Sequence, residues 1–324
     1  MPSPWTRLGP GPMDMVKPEL SAPGGSATVD TLQRRARSTD PASSVVGAGG
    51  TDQNRLLALG AGTSYAAPLV SYAALRVLAR YPALSGNAVR ALLLLSAEPL
   101  DVIVDDSSNS HNHQQQRRLT GYGRVSAPRS ETSTDHRAVL LNEAEIRLDE
   151  VHLYRVPIPG TFFAGGGRSS VTLSLAYDPP VRATRLDYLA SRMGIQMFHG
   201  ASIAEVQRAY VAAEETDELT DDPNAAPAAL DRFKLALQPA NANRGRGAHH
   251  FATYGRSRRF DSRRGVEFIV AVRNVNRWDT SGALQRYAFA VALERDLDHA
   301  DLYAELQLQL EALATVELEN EVEI

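Results

Sequence analysis

The sequence predicts a mixed α/β segment followed by a mostly β, sandwich-like second domain. Apolar residues recur at three- and four-residue spacing over 66–78, which is the period of a helix with one buried face. Over 171–177 and 287–293, apolar residues alternate with small or polar ones, which is the period of strands with one buried face. From this change of pattern we assign 1–130 to the first domain and 138–324 to the second.

The composition excludes several kinds of chemistry. The chain has 324 residues, 43% of them hydrophobic, and its net charge of -4 gives no reason to expect a nucleic acid or an anionic membrane as a partner. It contains no cysteine, so disulfides, thiol catalysis and zinc–thiolate sites are excluded. We find neither a secretory signal nor a membrane-spanning run, and therefore expect a cytoplasmic location.

Proline and glycine residues mark the limits of the predicted helices and strands of the first domain. The segment 16–24 is typical of a short buried strand that ends in a Pro-Gly turn, and a polar loop follows over about 25–55. A helix starts at Ser64 and ends before Pro82, and a second helix is predicted over 86–98.

Less regular segments separate the predicted elements. We expect a polar loop at 105–118 and a glycine turn with a strand at 119–127. In the second domain, one helix at about 202–214 interrupts the strands and leads into an acidic, mobile linker at about 214–229. Leucine alternation predicts a further strand around 306–310.

The stretch GTSYAAP at 62–68 combines a glycine turn, a hydroxyl residue and the start of an apolar helix. Gly62 would let the chain turn tightly, and Ser64 would offer its own backbone N–H to a developing oxyanion at the helix N-terminus. An isolated serine at a helix start is more often a plain N-cap, so neighbouring motifs must decide between the two interpretations.

Two neighbouring motifs do so. GTSYAAP resembles the serine motif of the subtilisin-like (S8) peptidases, KPELSAPGG at 17–25 is similar to the strand that precedes the family's serine, and GYGRVSA at 121–127 is similar to the glycine-rich segment that follows it. The resemblance implies an α/β subtilisin-like remnant, with a partial parallel sheet and helices. It implies that Ser64 is the nucleophile and a backbone oxyanion donor, that Gly62 and Thr63 form the supporting turn, and that the substrate is a peptide or protein.

The other members of the family's catalytic triad are missing from this sequence. In the family an aspartate and a histidine precede the serine, whereas the first histidine here is His111 and no upstream aspartate lies in the family's context. The asparagine that supplies the second oxyanion donor is also absent. We therefore expect the chain to match only the C-terminal part of a peptidase domain and to be nearly inactive alone, because triad members act as a unit.

Three explanations of this incomplete triad remain open. The chain is a fragment of a protease whose start lies farther upstream, or the two halves are separate chains that assemble, or the remnant is a non-catalytic binding or scaffold protein. The segment 175–198 is similar to the second domain of a bacterial subtilase group, some members of which occur beside an ATPase gene, so an ATPase is a further possible partner. We expect no cofactor; calcium sites occur in the family, but no residue here matches one.

Other signals have ordinary alternatives. VVGAGG at 45–50 is not followed by the acidic residue of a dinucleotide site. His111 and His113 are expected in a solvated loop rather than on a metal, and the adjacent His249 and His250 point apart. The arginine-rich stretch 244–264 fits either an acidic-partner patch or a loop that pairs with the acidic linker.

Overall fold

The computed structural model describes residues 3–37, 39–49, 56–100, 109–163, 167–240, 247–256, 265, 267–296 and 301–310. By its contacts the chain divides into two units. The first comprises Met1–Leu84 with Ser96–Glu131, and the second comprises Ser85–Leu95 with Thr132–Ile324. The domain limits drawn from the sequence stay a prediction.

The first unit combines helices with two short hairpins. Its helices are α1 (Thr63–Arg80), α3 (Asn109–Thr120) and α4 (Ala127–Glu131), and its strands are β1 (Thr28–Asp30), β2 (Arg35–Arg37), β3 (Val45–Ala48) and β4 (Leu57–Gly60). β1 pairs with β2 and β3 with β4, both antiparallel. The expected partial parallel sheet is not seen among the described strands, because the connections are too short for the crossover that parallel strands need.

Two further expectations about the first unit are corrected. The segment 16–24 is not a buried strand; within it a single parallel bridge joins Ser21 to Arg124. Residues 109–118, expected as part of a polar loop, lie in α3, whose glutamines and arginines are good helix formers.

The second unit contains two antiparallel sheets. One has the order β6-β10-β8 and the other β5-β11-β7-β9. The strands are β5 (Arg137–Ile146), β6 (Val151–Pro157), β7 (Ser169–Tyr177), β8 (Ser191–His199), β9 (His249–Arg256), β10 (Glu267–Asn276) and β11 (Gln285–Arg295). Side chains of both sheets, such as Leu173, Phe268 and Val291, share one core, which is the arrangement of a β-sandwich.

Helices cover the outer faces of this sandwich. α2 (Gly86–Leu95) packs on β7 and β11, where Ser174 donates a hydrogen bond to the carbonyl of Ala91 at 2.8 Å. The short helix α5 (Gly160–Phe163) precedes β7, and α6 (Ile203–Glu215) packs on the other sheet through Val206 and Tyr210. β7 and β11 are therefore buried on both faces rather than on one. Their alternate small residues leave room for α2, which is why the sequence pattern looked one-sided.

Within the segment predicted to be a mobile linker, residues 221–224 contact β8 and the residue that follows β10, while the mobility itself stays a prediction. Asn224 is buried; its side-chain oxygen accepts the backbone N–H of Ile195, and its carbonyl accepts the side chain of Gln196. Arg277 pairs with Asp221 at 2.7 Å. Part of the acidic charge of this segment is thus neutralised by Arg277, which directly follows β10.

The strand predicted around 306–310 is also corrected, since 302–310 are helical. Leu302 and Leu306 lie four residues apart and are buried, whereas Leu308 and Leu310 are exposed. A four-residue spacing of the buried positions is that of a helix, and the leucine alternation between 306 and 310 was a coincidence of composition.

The start of α6 provides a test of local stability. The Ser202 hydroxyl accepts the N–H of Glu205 at 3.3 Å, and the Glu205 carboxylate accepts the N–H and hydroxyl of Ser202, each at 2.8 Å. We expect Ser202→Ala to lower the free energy of unfolding by about 1 kcal/mol in urea titrations. Ser202→Thr, which keeps the hydroxyl, should restore most of the loss; equal destabilisation by both variants would contradict a capping role.

Two hydrogen bonds to the Glu205 carboxylate hold the pKa of Glu205 below its ordinary value of 4.5. The larger effect comes from the backbone N–H of Ser202 and the smaller one from its hydroxyl. Because the pKa is lowered in the folded state, the contribution of the capping box is present above that ordinary value. It is lost as the pH falls through the lowered value.

Candidate nucleophile site

The candidate nucleophile lies at the beginning of α1. The helix starts at Thr63, so Ser64 is its second residue, and the side chain of Ser64 is exposed. The backbone N–H groups of the first turn of a helix have no intrahelical partner, so the N–H of Ser64 is available to an anionic oxygen. Gly62 precedes the helix with φ +154°, a conformation that favours glycine and that lets the chain turn directly into α1.

The proline-glycine segment lies against this turn. The N–H of Gly62 donates to the carbonyl of Gly24 at 2.7 Å. A Cβ on Gly24 would lie 2.6 Å from the Gly62 oxygen and 3.2 Å from the Cβ of Ala66, so only glycine allows this approach. Two segments that are almost 40 residues apart thus form one structure, and the sequence offered the Pro-Gly-Gly cluster as the signal for Gly24.

The third glycine-rich segment pairs with the same stretch of chain. Ser21 donates its N–H to the carbonyl of Gly123 at 2.8 Å and accepts the N–H of Val125 at 3.0 Å, while Tyr122 donates to Glu19 at 2.8 Å. Within the first unit, the segment 17–25 therefore contacts both of the other motifs picked out in the sequence.

No general base for Ser64 is placed by the described side chains of the first unit. Its histidines are His111 and His113, which lie in α3, and their side chains fall outside the described part of the chain. Among the described residues, none forms a hydrogen bond with the Ser64 hydroxyl. A serine hydroxyl without a base is a weak nucleophile. The described part of the site provides the exposed Ser64 hydroxyl, the turn at Gly62 and a backbone N–H at a helix start.

The other candidates from the sequence occupy ordinary structural positions. His249 and His250 lie on β9, and the ring of His250 is buried and stacks on Tyr177 with centroids 6.2 Å apart. The start of VVGAGG is β3, a hairpin strand rather than part of a nucleotide-binding unit. Within 244–264, residues 249–256 form β9, and most of the arginines lie outside the described residues.

The described residues contain neither a cluster suited to a metal ion nor a helix suited to cross a membrane. No group of three or more histidine, aspartate and glutamate side chains suited to a metal ion occurs in this part of the chain. None of the helices there has both the length and the apolar character required to cross a bilayer.

The first unit thus brings together a serine at a helix start, a glycine turn and an adjoining Pro-Gly segment. Residues 1–123 match the model of the subtilase family, peptidase S8, and this part of the chain belongs to that family, as the three motifs predicted. The chain is also 32% identical, over 295 residues and 90% of its own length, to the uncharacterized protein y4bN of Sinorhizobium fredii (strain NBRC 101917 / NGR234). It spans 66% of the length of that relative.

Proposed function

We propose that this chain carries the nucleophile of a subtilisin-like serine endopeptidase, and that the catalytic aspartate and histidine come from polypeptide outside these 324 residues. The observation that carries the proposal is the exposed Ser64 at the start of α1, next to the Gly24 segment that holds its turn. The family match over 1–123 supports the same chemistry.

In the completed site, the histidine would take the proton of the Ser64 hydroxyl as its oxygen attacks the peptide carbonyl. The resulting oxyanion would accept the N–H of Ser64, at the positive end of α1. Collapse of this intermediate would break the peptide C–N bond, and the leaving amine would receive the proton from the histidine. Water would then hydrolyse the acyl ester by the same route and regenerate Ser64.

An exposed apolar stripe on α1 supports the need for further polypeptide. Tyr65, Leu69, Tyr72, Leu75 and Leu78 recur every three or four residues and are between 37% and 64% exposed. Rows of large apolar side chains are rarely left in water, because covering them is favourable by about 25 cal/mol per Å². In this proposal the stripe is covered by the polypeptide that supplies the histidine and aspartate.

Partners follow from the same reasoning. The substrate is a peptide or protein, and the first partner is the N-terminal half of the peptidase domain, carried either upstream in the same protein or by a separate chain. An ATPase is a second partner that only the resemblance suggests. DNA upstream of the Met1 codon can be translated and searched for the family's aspartate and His-Gly-Thr motifs, which identifies the source of the missing half.

Fluorophosphonate labelling tests the proposal. We expect the purified 324-residue chain to label at no more than the background rate, because Ser64 lacks a base. Addition or fusion of the polypeptide with the aspartate and histidine motifs should produce labelling that maps to Ser64 by mass spectrometry. A well-folded, completed protein that stays unlabelled would overturn the proposal.

A second candidate function is a catalytically inactive binding or scaffold protein built on the β-sandwich. The feature that favours it is the contrast between the units. The second unit has an extensive apolar core, whereas the buried apolar residues described in the first are Met15, Ala73, Val77, Ala97 and Tyr122. Failure of the labelling experiment in a folded, completed protein would leave this function as the better account.

A further inference from the structure

A cleft of about 480 Å³ lies in the second unit, beside α6 and the adjoining strands β6 and β10. Its volume falls within the usual range of small-ligand sites. Its apolar wall includes Val151, Leu153 and Leu219, which pack against the core beneath α6. Local sequence patterns do not reveal this cleft, because its walls come from three separate parts of the chain.

Carboxylates dominate the charge of the cleft. Asp149, Glu150, Glu214 and Asp217 line it together with the single cation Arg273, which leaves three net negative charges. The guanidinium of Arg273 already donates to the carbonyls of Thr220 and Asp222, at 2.9 and 3.1 Å.

The carboxylates differ in how far they are engaged. Asp149 accepts the N–H of Asn276, and Glu150 accepts the N–H of Arg147, each at 2.9 Å. Among the described residues, neither Glu214 nor Asp217 forms a side-chain ion pair or hydrogen bond. Two acidic side chains therefore remain available at the rim.

Glu214 and Asp217 lie at positions where a negative charge destabilises the helix. Glu214 lies in the last turn of α6 and Asp217 follows it, at the end of a helix that has no basic residue in its last turn. Negative charge at a helix C-terminus is unfavourable, since it adds to the negative end of the helix dipole. A cationic ligand in the cleft would reverse this repulsion.

Tyr210 is a second, independent feature of the cleft. Tyr210 lines the cleft and is only 6% exposed. In the described part of the chain no residue forms a hydrogen bond with its hydroxyl. The hydroxyl oxygen itself is not sealed from solvent, so it opens into the cleft, where it can donate to a ligand group. Burial raises the pKa of Tyr210, which keeps the phenol protonated and able to donate.

We propose that this cleft binds a cationic group on an apolar stem, the chemistry of a lysine or arginine side chain or of a linear polyamine. The ammonium or guanidinium lies between the carboxylates of Glu214 and Asp217, and the stem lies on the apolar wall. The phenol of Tyr210 contributes its hydroxyl to a polar atom of the ligand or its ring face to the cation. The proposal is independent of the peptidase chemistry at Ser64.

Calorimetric titration of the full chain tests the proposal. The probes are spermidine, the capped peptide acetyl-Ala-Leu-Lys-Leu-Arg-Ala-amide, and the same peptide with norleucine and citrulline in place of lysine and arginine. We expect a cationic probe to bind at low ionic strength and the neutral peptide not to bind. Binding of the peptide alone indicates a protein ligand, whereas binding of spermidine indicates that a free polyamine suffices. Either result supports the proposed cation site if the binding depends on Glu214.

Matched variants locate the binding. Glu214→Gln should weaken the cationic probe by about tenfold, and Tyr210→Phe by about threefold or more. Glu215→Gln makes the same change of charge on the same helix outside the lining of the cleft, and should change affinity by less than about twofold. Unchanged circular dichroism and unfolding midpoints verify that each variant is folded.

Three outcomes would overturn the proposal. They are the absence of binding by both cationic probes to folded wild-type protein, equal binding of the neutral peptide, and an equal loss of affinity in the Glu214→Gln and Glu215→Gln variants. The last outcome would show a diffuse attraction to an acidic surface rather than a site.

Discussion

Ser64→Ala is expected to abolish fluorophosphonate labelling and to lower peptide hydrolysis by the completed enzyme by about a millionfold. This figure is taken from subtilisin, where loss of the nucleophile has an effect of that order. The reason is that no acyl-enzyme can form without the hydroxyl oxygen. Ser64 is exposed at the second position of α1, where alanine is a good helix residue, so the variant should fold as the wild type does. Labelling and hydrolysis are measured in the protein completed with the aspartate and histidine polypeptide.

Ser71→Ala provides the matched control on the same helix. Ser71 is exposed, and its hydroxyl donates to the carbonyl of Ala67 at 3.3 Å within α1, so it has no role in the turn at Gly62. This variant should label and hydrolyse at the wild-type rate. If Ser64→Ala retained labelling in the completed protein, another residue would be the nucleophile and the proposed site would be wrong.

Arg137→Met is expected to lower the free energy of unfolding by about 3–5 kcal/mol. The Arg137 side chain is 5% exposed and pairs with Glu294 at 2.8 Å, and it also donates to the carbonyls of Thr132 and Leu95. Loss of the guanidinium removes its hydrogen bonds to the Glu294 carboxylate and to these carbonyls, and the burial of the site makes these hydrogen bonds hard to replace with solvent. The start of β5, the end of β11 and the end of α2 should all lose support.

Urea unfolding of the matched variant Arg286→Met checks this result. Arg286 lies on β11 but is exposed, so the same substitution should change stability by less than about 0.5 kcal/mol. Arg137→Lys keeps the charge but loses the forked geometry, and an intermediate loss is expected. A loss below about 1 kcal/mol for Arg137→Met would mean that solvent replaces the guanidinium, against the observed burial.

The serine turn could be predicted from the sequence because its determinants are local. Gly62, Ser64 and the apolar period of α1 are close in the chain, and the Pro-Gly-Gly cluster at 22–25 adds a second local signal. The described structure places these segments in contact through the Gly62–Gly24 hydrogen bond. The missing base was equally visible, because no histidine precedes His111.

Strand periodicity in the second unit was a correct but incomplete guide. It located β7 and β11, yet it could not show that α2 covers their outer face, because a small residue is compatible with either solvent or a helix. Periodicity also misled at Leu306, Leu308 and Leu310. Their spacing of two residues is that of a strand, although 302–310 are helical.

The sequence by itself determined the family of residues 1–123, the position of Ser64 and the presence of alternating strands, because each depends on neighbours in the chain. Only the tertiary structure decided that the first hairpins are antiparallel, that the acidic segment before Leu230 is held by Gln196 and Arg277, and that Tyr210 lines an acidic cleft. These features depend on groups that are far apart in sequence, and local patterns carry no information on which distant groups meet.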